Sequence, residues 1–154
     1  RPIGTSSIDY DIILGSINSY TPLSYSLNCR NYLSVLTGSI EITLCPPKDY
    51  KYLYVNKDYD NFKFTSSIDI QNPQDEYKDD FEKIKFLRVI LEPNKLLQIP
   101  AYWFFSIKIL ESNTLISNFK YTTYMNSLAM APDLFIKFLQ NNNIKRNLAK
   151  VADL

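Results

Sequence analysis

The stretch IPAYWFF at residues 99–105 separates two strand-like segments near the middle of the second half of the chain. Before it, the run 96–99 enters a strand that Pro100 ends, because proline has no N–H to donate to a neighbouring strand. After it, residues 104–110 alternate largely between apolar and polar side chains, which is the period of a half-buried strand. Residues 114–121 form the next strand-like segment, and the Glu-Ser-Asn sequence between the two predicts a hairpin.

On either side of this stretch, the sequence predicts many short strands followed by helix. Strands are predicted at 12–14, 32–36, 40–44 and 86–91, with a hairpin turn at 37–39 and a Pro-Pro stop at 46–47. The polar residues 56–83 predict a long surface loop with a short helical turn near 79–84.

The C-terminal part of the chain predicts helix. Pro132 suits the N1 position of a helix, and the apolar spacing from Asp133 supports one, until the Asn run at 141–143 predicts a break before a second amphipathic segment. Strands followed by helix favour a barrel or a sandwich. The pattern alone does not distinguish a jelly roll from an immunoglobulin-like sandwich.

The composition is that of one globular domain: 154 residues, 45% hydrophobic, with a formal net charge of +1. No apolar run reaches the ~18 residues of a membrane span, so no membrane association is predicted. The small net charge does not favour nucleic acid, and the basic residues Lys145, Arg146 and Lys150 are interpreted as a solvated helix face. The chain does not begin with Met, so it is interpreted as a possible fragment of a longer protein.

The most restrictive feature is that the chain contains no histidine. Serine triads, Cys-His pairs, His-ligated zinc and the two-His-one-carboxylate iron site are therefore excluded within this chain. Cys29 and Cys45 form no CxxC pair, and we predict two buried free thiols, with a bridge between them possible but unsupported by the sequence.

A family resemblance chooses between the two β architectures. Residues 99–105 resemble the Ile-Pro-x-x-Trp-Trp-His segment of Jumonji-C-type cupins, the group that contains the asparaginyl hydroxylase that inhibits hypoxia-inducible factor. Further similar segments follow in family order, at 21–26, 44–47, 67–69, 72–73, 93–97 and 118–119. The resemblance implies a mostly β protein: a cupin-type jelly roll, or double-stranded β-helix, over residues 1–124. A C-terminal α-helical extension over residues 125–154 would pack on the barrel or at a dimer interface.

The same resemblance implies that the iron site of the family is lost. The family holds Fe(II) with a His-x-Asp/Glu pair and a distant His, and these positions correspond here to Ser24, Ser26 and Phe105. A register shifted by one residue would give Tyr25 and Leu27 for the pair, which are no better as ligands. We therefore expect no catalytic residue, no metal and no cofactor, and Phe105 is expected to fill the barrel with apolar surface.

Of the other polar positions of the family's site, one is lost in this chain and two are kept. The lysine that binds 2-oxoglutarate in the hydroxylase subgroup corresponds to a position near Ile40 and is lost. Asn31 and Asn118 persist beside the site, and they are interpreted as structural remnants that satisfy backbone groups inside the barrel.

These expectations favour a catalytically inactive structural or protein-interaction module with a protein partner or a homodimer. Leu134, Phe135, Phe138 and Leu139 are the predicted interface, unless they pack on their own barrel. The alternative is a metal-free cupin that binds a small molecule, or a non-iron enzyme that uses the barrel interior. An oxygenase completed by another chain has no histidine here to share. The abundance of Asn, Ile, Lys and Tyr is similar to that of proteins from AT-rich genomes, including large DNA viruses, so we expect a cytoplasmic protein, in the host cytoplasm or the virion if viral.

Overall fold

The computed structural model describes residues 3–28, 30–59 and 61–152, with side chains as far as residue 143 in the last helix. Cys29 and the side chains of Lys145, Arg146 and Lys150 lie outside the described residues, so the predictions made for them stay predictions. The strands are β1 (Thr5–Gly15), β2 (Ser24–Tyr25), β3 (Arg30–Thr37), β4 (Ile40–Cys45), β5 (Val55–Asp58), β6 (Lys63–Ser66), β7 (Leu87–Leu91), β8 (Leu96–Pro100), β9 (Phe104–Ile109) and β10 (Thr114–Thr123). The helices are α1 (Lys78–Phe81), α2 (Tyr124–Ala129) and α3 (Ala131–Ala152), and short 3-10 segments span Pro47–Tyr52 and Asp75–Tyr77.

The strands form two antiparallel sheets, in the order β1-β10-β3-β8 and the order β5-β6-β2-β9-β4-β7. From β1 to β4, and again from β7 to β10, each strand lies in the opposite sheet from the one before it. This alternation is the winding of a jelly roll, whereas a meander would pair consecutive strands within one sheet. The predicted fold class, a mostly β cupin-type jelly roll followed by C-terminal helices, is confirmed.

Both predicted hairpins are wrong. The turn at 37–39 joins β3 to β4, and the turn at 111–113 joins β9 to β10, yet in each case the two strands belong to different sheets. The chain therefore turns a corner at these points instead of folding back on itself. At the first corner Gly38 has φ +77°, and a Cβ placed there would collide with the side chain of Thr114. Only glycine fits such a position without strain.

The long polar loop predicted for 56–83 is also partly wrong, because β5 and β6 form a hairpin within it. These strands lack a repeating apolar pattern because β5 is a sheet edge with its side chains largely in solvent. On β6, Phe64 is buried against Leu27 and Met130, and Ser66 is buried as well. The helical turn predicted near residue 79 is present as α1.

The predicted break at Asn141-Asn142-Asn143 is not found, and α3 continues through it as one helix. Asparagine lowers helix propensity by less than about 0.7 kcal/mol per residue, which is too little to stop a helix that has already formed. The helix also begins at Ala131, which places Pro132 one position later than predicted. Proline remains compatible with this first turn, where the backbone N–H groups have no intrahelical partner.

The main core fills the space between the two sheets. Its buried residues are Leu33, Val35, Ile40, Ile42, Leu44, Leu91, Ile99, Ile107, Ile109 and Ile116. A second cluster, centred on the fully buried Phe104, lies on the opposite face of the larger sheet and includes the free thiol of Cys45. No helix in the described part of the chain is long and apolar enough to cross a membrane.

Candidate functional site

The three positions that the sequence resemblance assigns to the family's iron ligands come together at one end of the barrel. Ser24 on β2 lies directly opposite Phe105 on β9 and opposite Thr65 on β6. Cross-strand partners point to the same face of a sheet, so these side chains share the interior face, and Ser26, two residues along, follows them. Ser24, Ser26 and Phe105 all line one cavity of about 570 Å³. We refer to it below as the barrel cavity.

The donors in the barrel cavity do not fit an iron(II) ion. The phenyl ring of Phe105 has no lone pair to donate, and it packs against the main core. The Ser26 hydroxyl donates to Asn28 Oδ1 at 2.6 Å and accepts from the Asn28 N–H at 3.2 Å, so its oxygen is already engaged. Neutral hydroxyls are also weak ligands compared with imidazole and carboxylate. Among residues 3–28, 30–59 and 61–152, no three Cys, Asp or Glu side chains are grouped closely enough to hold a metal.

The wall that faces Phe105 across the barrel is polar. Lys120 on β10 lies opposite Asp9 on β1 and opposite Asn31 on β3, and Asn118 lies opposite Asp11. The Lys120 ammonium binds the Asp11 carboxylate with Nζ and Oδ2 separated by 2.6 Å. Both side chains are partly exposed, so this ion pair stabilises the fold by no more than about 1 kcal/mol. Polar side chains therefore extend from the cavity rim along the interior face of the smaller sheet.

Deeper in this wall, two asparagine side chains have polar atoms without hydrogen-bond partners. Asn31 is 1% exposed and Asn118 is 4% exposed. In the described part of the chain, three of their buried atoms have no hydrogen-bond partner: Asn31 Nδ2, Asn31 Oδ1 and Asn118 Oδ1. The interpretation that Asn31 satisfies backbone groups is therefore wrong. A buried polar group left unpaired costs about 1–3 kcal/mol, so these amides call for a specific reason.

The C-terminal helices contact the barrel through polar side chains. Thr123 caps α2 by accepting from the Asn126 N–H at 3.2 Å. On α3, Asp133 accepts a hydrogen bond from the Tyr59 hydroxyl at 3.3 Å, and Lys137 Nζ lies 4.7 Å from the centre of the Phe62 ring. The side of α3 that meets the β5–β6 hairpin is thus charged, although Met130 just before the helix is buried.

Most apolar side chains of these helices are exposed to solvent, although Leu134 also lines the barrel cavity. Each of the four predicted interface residues is at least 42% exposed in the single chain: Leu134, Phe135, Phe138 and Leu139. The structure adds three α2 residues that are at least 70% exposed, namely Tyr124, Met125 and Leu128. Their one-turn spacing could have indicated this from the sequence. We call these seven residues the apolar C-terminal face.

Burial keeps two further side chains, Cys45 and Tyr25, in their neutral form. Burial is the main cause that raises the pKa of the Cys45 thiol to about 12, and the nearby Asp49 carboxylate adds to it. Burial likewise raises the pKa of Tyr25, whose ring stacks on Phe64 with 5.0 Å between ring centres and meets Phe104 edge-on. Cys45 also lies in the second cluster and not in the barrel cavity. Neither group is poised to act as a nucleophile or base near neutral pH.

The fold and this cavity define a double-stranded β-helix whose interior is lined at one end by an aromatic ring and by hydroxyls. Residues 5–127 match the cupin-like domain family, and the chain belongs to that family, as the sequence resemblance predicted.

Several curated proteins are similar to the chain. The JmjC domain-containing protein D of Dictyostelium discoideum is 30% identical over 100 residues, which is 64% of this chain and 22% of that protein. The HSPB1-associated protein 1 of Rattus norvegicus is 25% identical over 116 residues, which is 75% of this chain and 24% of that protein. The tRNA wybutosine-synthesizing protein 5 of Danio rerio is 35% identical over 74 residues, which is 48% of this chain and 21% of that protein. The chain thus spans less than a quarter of the length of these relatives.

Proposed function

We propose that this cupin-like domain is catalytically inactive as an iron oxygenase and acts as a structural or protein-interaction module. The observation that carries the proposal is the pairing of Phe105 with Ser24, in a chain without histidine, at the positions where the family holds its metal. An aromatic ring in that place contributes burial energy to the barrel, up to roughly 1.5–3 kcal/mol when such a side chain is fully buried. A phenyl ring has no atom that can coordinate iron.

The apolar C-terminal face is the proposed contact surface, and a second copy of the chain is the proposed partner. Seven large side chains, each exposing on the order of 100 Å², would bury roughly 700 Å² per copy. Specific interfaces bury about 800 Å² on each side, so this face alone approaches the usual size. A solvent-exposed patch of this kind is unusual on a monomeric protein. One relative is named as associated with HSPB1, which favours protein contacts as a role for domains of this type.

The experiment measures molar mass by light scattering during gel filtration, over a hundredfold range of concentration. We expect about twice the chain mass of 18.0 kDa for the wild type and a monomer for Phe138→Glu. Ile90→Glu is the matched control, because Ile90 is also an exposed apolar residue but lies on β7, outside the apolar C-terminal face. A monomeric wild type, or the same loss in both variants, would contradict the dimer.

A separate measurement tests the proposal that the domain binds no iron. Purified protein is loaded with Fe(II) under anaerobic conditions, desalted and assayed for bound iron and for 2-oxoglutarate consumption. We expect neither. Stoichiometric iron would overturn the proposal, whatever the oligomeric state.

A second candidate function is metal-free binding of a small molecule inside the barrel. The observation that favours it is the barrel cavity itself, whose lining includes the hydroxyls of Ser24, Ser26 and Thr65 and the ammonium of Lys120. Ligand sites are typically cavities of ~300–1,000 Å³ with a few well-placed polar groups, and the barrel cavity falls within this range.

A further inference from the structure

The smaller sheet has an apolar outer side. Leu33 and Val35 of β3 lie in the main core, so the side chains that alternate with them, and the cross-strand partners of those side chains, point outward. Five large apolar side chains on this outer side are at least 52% exposed: Tyr10, Ile12, Leu14, Leu36 and Leu96. We call these five residues the outer sheet face. It reaches across the whole sheet, because β1 and β8 are the two edges.

Half-buried apolar residues fill the space between the exposed ones. They include Phe119 and Leu115 on β10 and Tyr32 on β3, and the ring of Tyr10 meets that of Phe119 edge-on with 5.4 Å between ring centres. Arg30 is the one charged residue at the outward-facing positions of the four strands, as the structure describes them. A contiguous apolar patch of this kind usually marks a contact surface.

The helices of the same chain do not cover the outer sheet face. Met130 is buried with Phe64 of β6, and Asp133 accepts a hydrogen bond from the Tyr59 hydroxyl at 3.3 Å. These contacts hold the start of α3 against the β5–β6 hairpin, which belongs to the larger sheet. A cover for the outer sheet face therefore has to come from another molecule.

The apolar C-terminal face of a second copy fits this position. It is as poor in charge as the outer sheet face, because α2 has no charged residue and Asp133 and Lys137 of α3 contact the hairpin of their own chain. Helices packed on one face of an antiparallel sheet are a common way for both elements to bury their apolar sides. Four strands about 4.8 Å apart give a sheet at least ~14 Å wide, which accommodates a helix about 10–12 Å across.

We propose that two copies form a closed two-fold dimer in which the apolar C-terminal face of each copy packs on the outer sheet face of the other. The inference rests on the dimer of the proposed function and adds where the helices lie on the partner. In a two-fold dimer this helix-on-sheet contact occurs twice. At on the order of 100 Å² for each exposed large side chain, the two faces bury roughly 1,200 Å² per copy, against about 800 Å² for a typical specific interface. A helix-on-helix dimer would leave the outer sheet face in solvent.

The test applies light scattering during gel filtration to Ile12→Glu and Leu96→Glu on the outer sheet face, beside Phe138→Glu on α3. Ile12 and Leu96 are 71% and 61% exposed, so both variants should keep the fold, which circular dichroism checks. We expect each of the three variants to weaken the dimer at least tenfold. Ile90→Glu on β7 of the larger sheet is the control and should leave the dimer unchanged.

Mixing two of these variants separates a helix-on-sheet contact from a helix-on-helix contact. Ile12→Glu keeps an intact apolar C-terminal face, and Phe138→Glu keeps an intact outer sheet face, so one of the two contacts in the mixed dimer is fully native. An equimolar mixture should therefore have a larger average mass than either variant alone at the same total concentration. Both substitutions introduce a negative charge, so attraction between opposite charges cannot produce this gain.

The outcomes separate this inference from the proposed function. A monomeric wild type would overturn the proposed dimer and the inference together. Dimeric Ile12→Glu and Leu96→Glu beside a monomeric Phe138→Glu would overturn only the helix-on-sheet contact, and so would a mixture without a gain in mass. Masses that grow beyond the dimer with concentration would overturn the closed two-fold arrangement.

Discussion

Rebuilding the family's metal ligands should destabilise this barrel. The variant combines Ser24→His, Ser26→Asp and Phe105→His. Because Phe105 is only partly buried, replacing its ring removes roughly half of the 1.5–3 kcal/mol that full burial contributes. Ser26→Asp removes the hydroxyl that bonds twice with Asn28, which costs about 1 kcal/mol per bond. We therefore expect a loss of about 2–4 kcal/mol, since the new polar groups recover part of their solvation at the cavity rim.

The assay is thermal unfolding followed by circular dichroism, with urea unfolding for the free energy. For a chain of this size 1 kcal/mol corresponds to about 2–4 °C, so the triple variant should unfold roughly 5–15 °C below wild type. Ser24→Ala is the control and should stay within about 0.5 kcal/mol of wild type. Cobalt(II) at a hundredfold excess over its dissociation constant should restore about 2.7 kcal/mol to the triple variant and nothing to wild type. A triple variant as stable as wild type, or a wild type stabilised equally by cobalt, would refute the reasoning.

Three further predictions concern the fold. Gly38→Ala should lower stability by about 1–3 kcal/mol more than Gly4→Ala in urea unfolding, because both have positive φ but only the first would collide with Thr114; equal effects would contradict the corner geometry. Burial raises the pKa of Cys45 from its ordinary value of 9.0 to about 12 in the folded chain, so above pH 9 only the unfolded state loses the proton and stability falls as pH rises toward 12. Cys45→Ala should flatten that decline between pH 8 and 10.5, and an unchanged slope would show that the thiol is accessible. Phe104→Ala should cost about 3–5 kcal/mol by urea unfolding, because the ring is fully buried at the centre of the second cluster; a cost below about 1 kcal/mol would contradict that packing.

The sequence predicted where most strands lie but not how they pair. Alternation of apolar and polar residues is a local property, so segments such as 40–44 and 104–110 could be recognised without the fold. The turn at Gly38 has the composition of a hairpin, and nothing local distinguishes a hairpin from a corner that carries the chain into the other sheet. The β5–β6 hairpin was missed for the opposite reason: each strand has only four residues and a single apolar one, Val55 or Phe64, so the sequence shows no repeating apolar pattern there.

The candidate site, too, could be predicted from the sequence only in part. Bringing Ser24, Ser26 and Phe105 into one cavity required the family resemblance, because residues 24 and 105 are far apart in the chain and only strand pairing joins them. The unpaired state of Asn31 could not be predicted at all. Hydrogen bonding of a buried amide depends on every neighbour around it, and a sequence shows the amide without those neighbours.

The placement of polar and apolar side chains is energetically unfavourable for a free monomer. It keeps three unpaired amide atoms inside the barrel, turns the charged side of α3 toward the β5–β6 hairpin and leaves the apolar C-terminal face in solvent. The amides alone cost several kcal/mol by the usual estimate of about 1–3 kcal/mol for each unpaired group, which is a large share of a total stability of about 5–15 kcal/mol. A second copy of the chain on the helices would cover the apolar C-terminal face. Binding that is coupled to folding adds to the apparent stability by mass action. The unfolding temperature should therefore rise with protein concentration for wild type but not for Phe138→Glu.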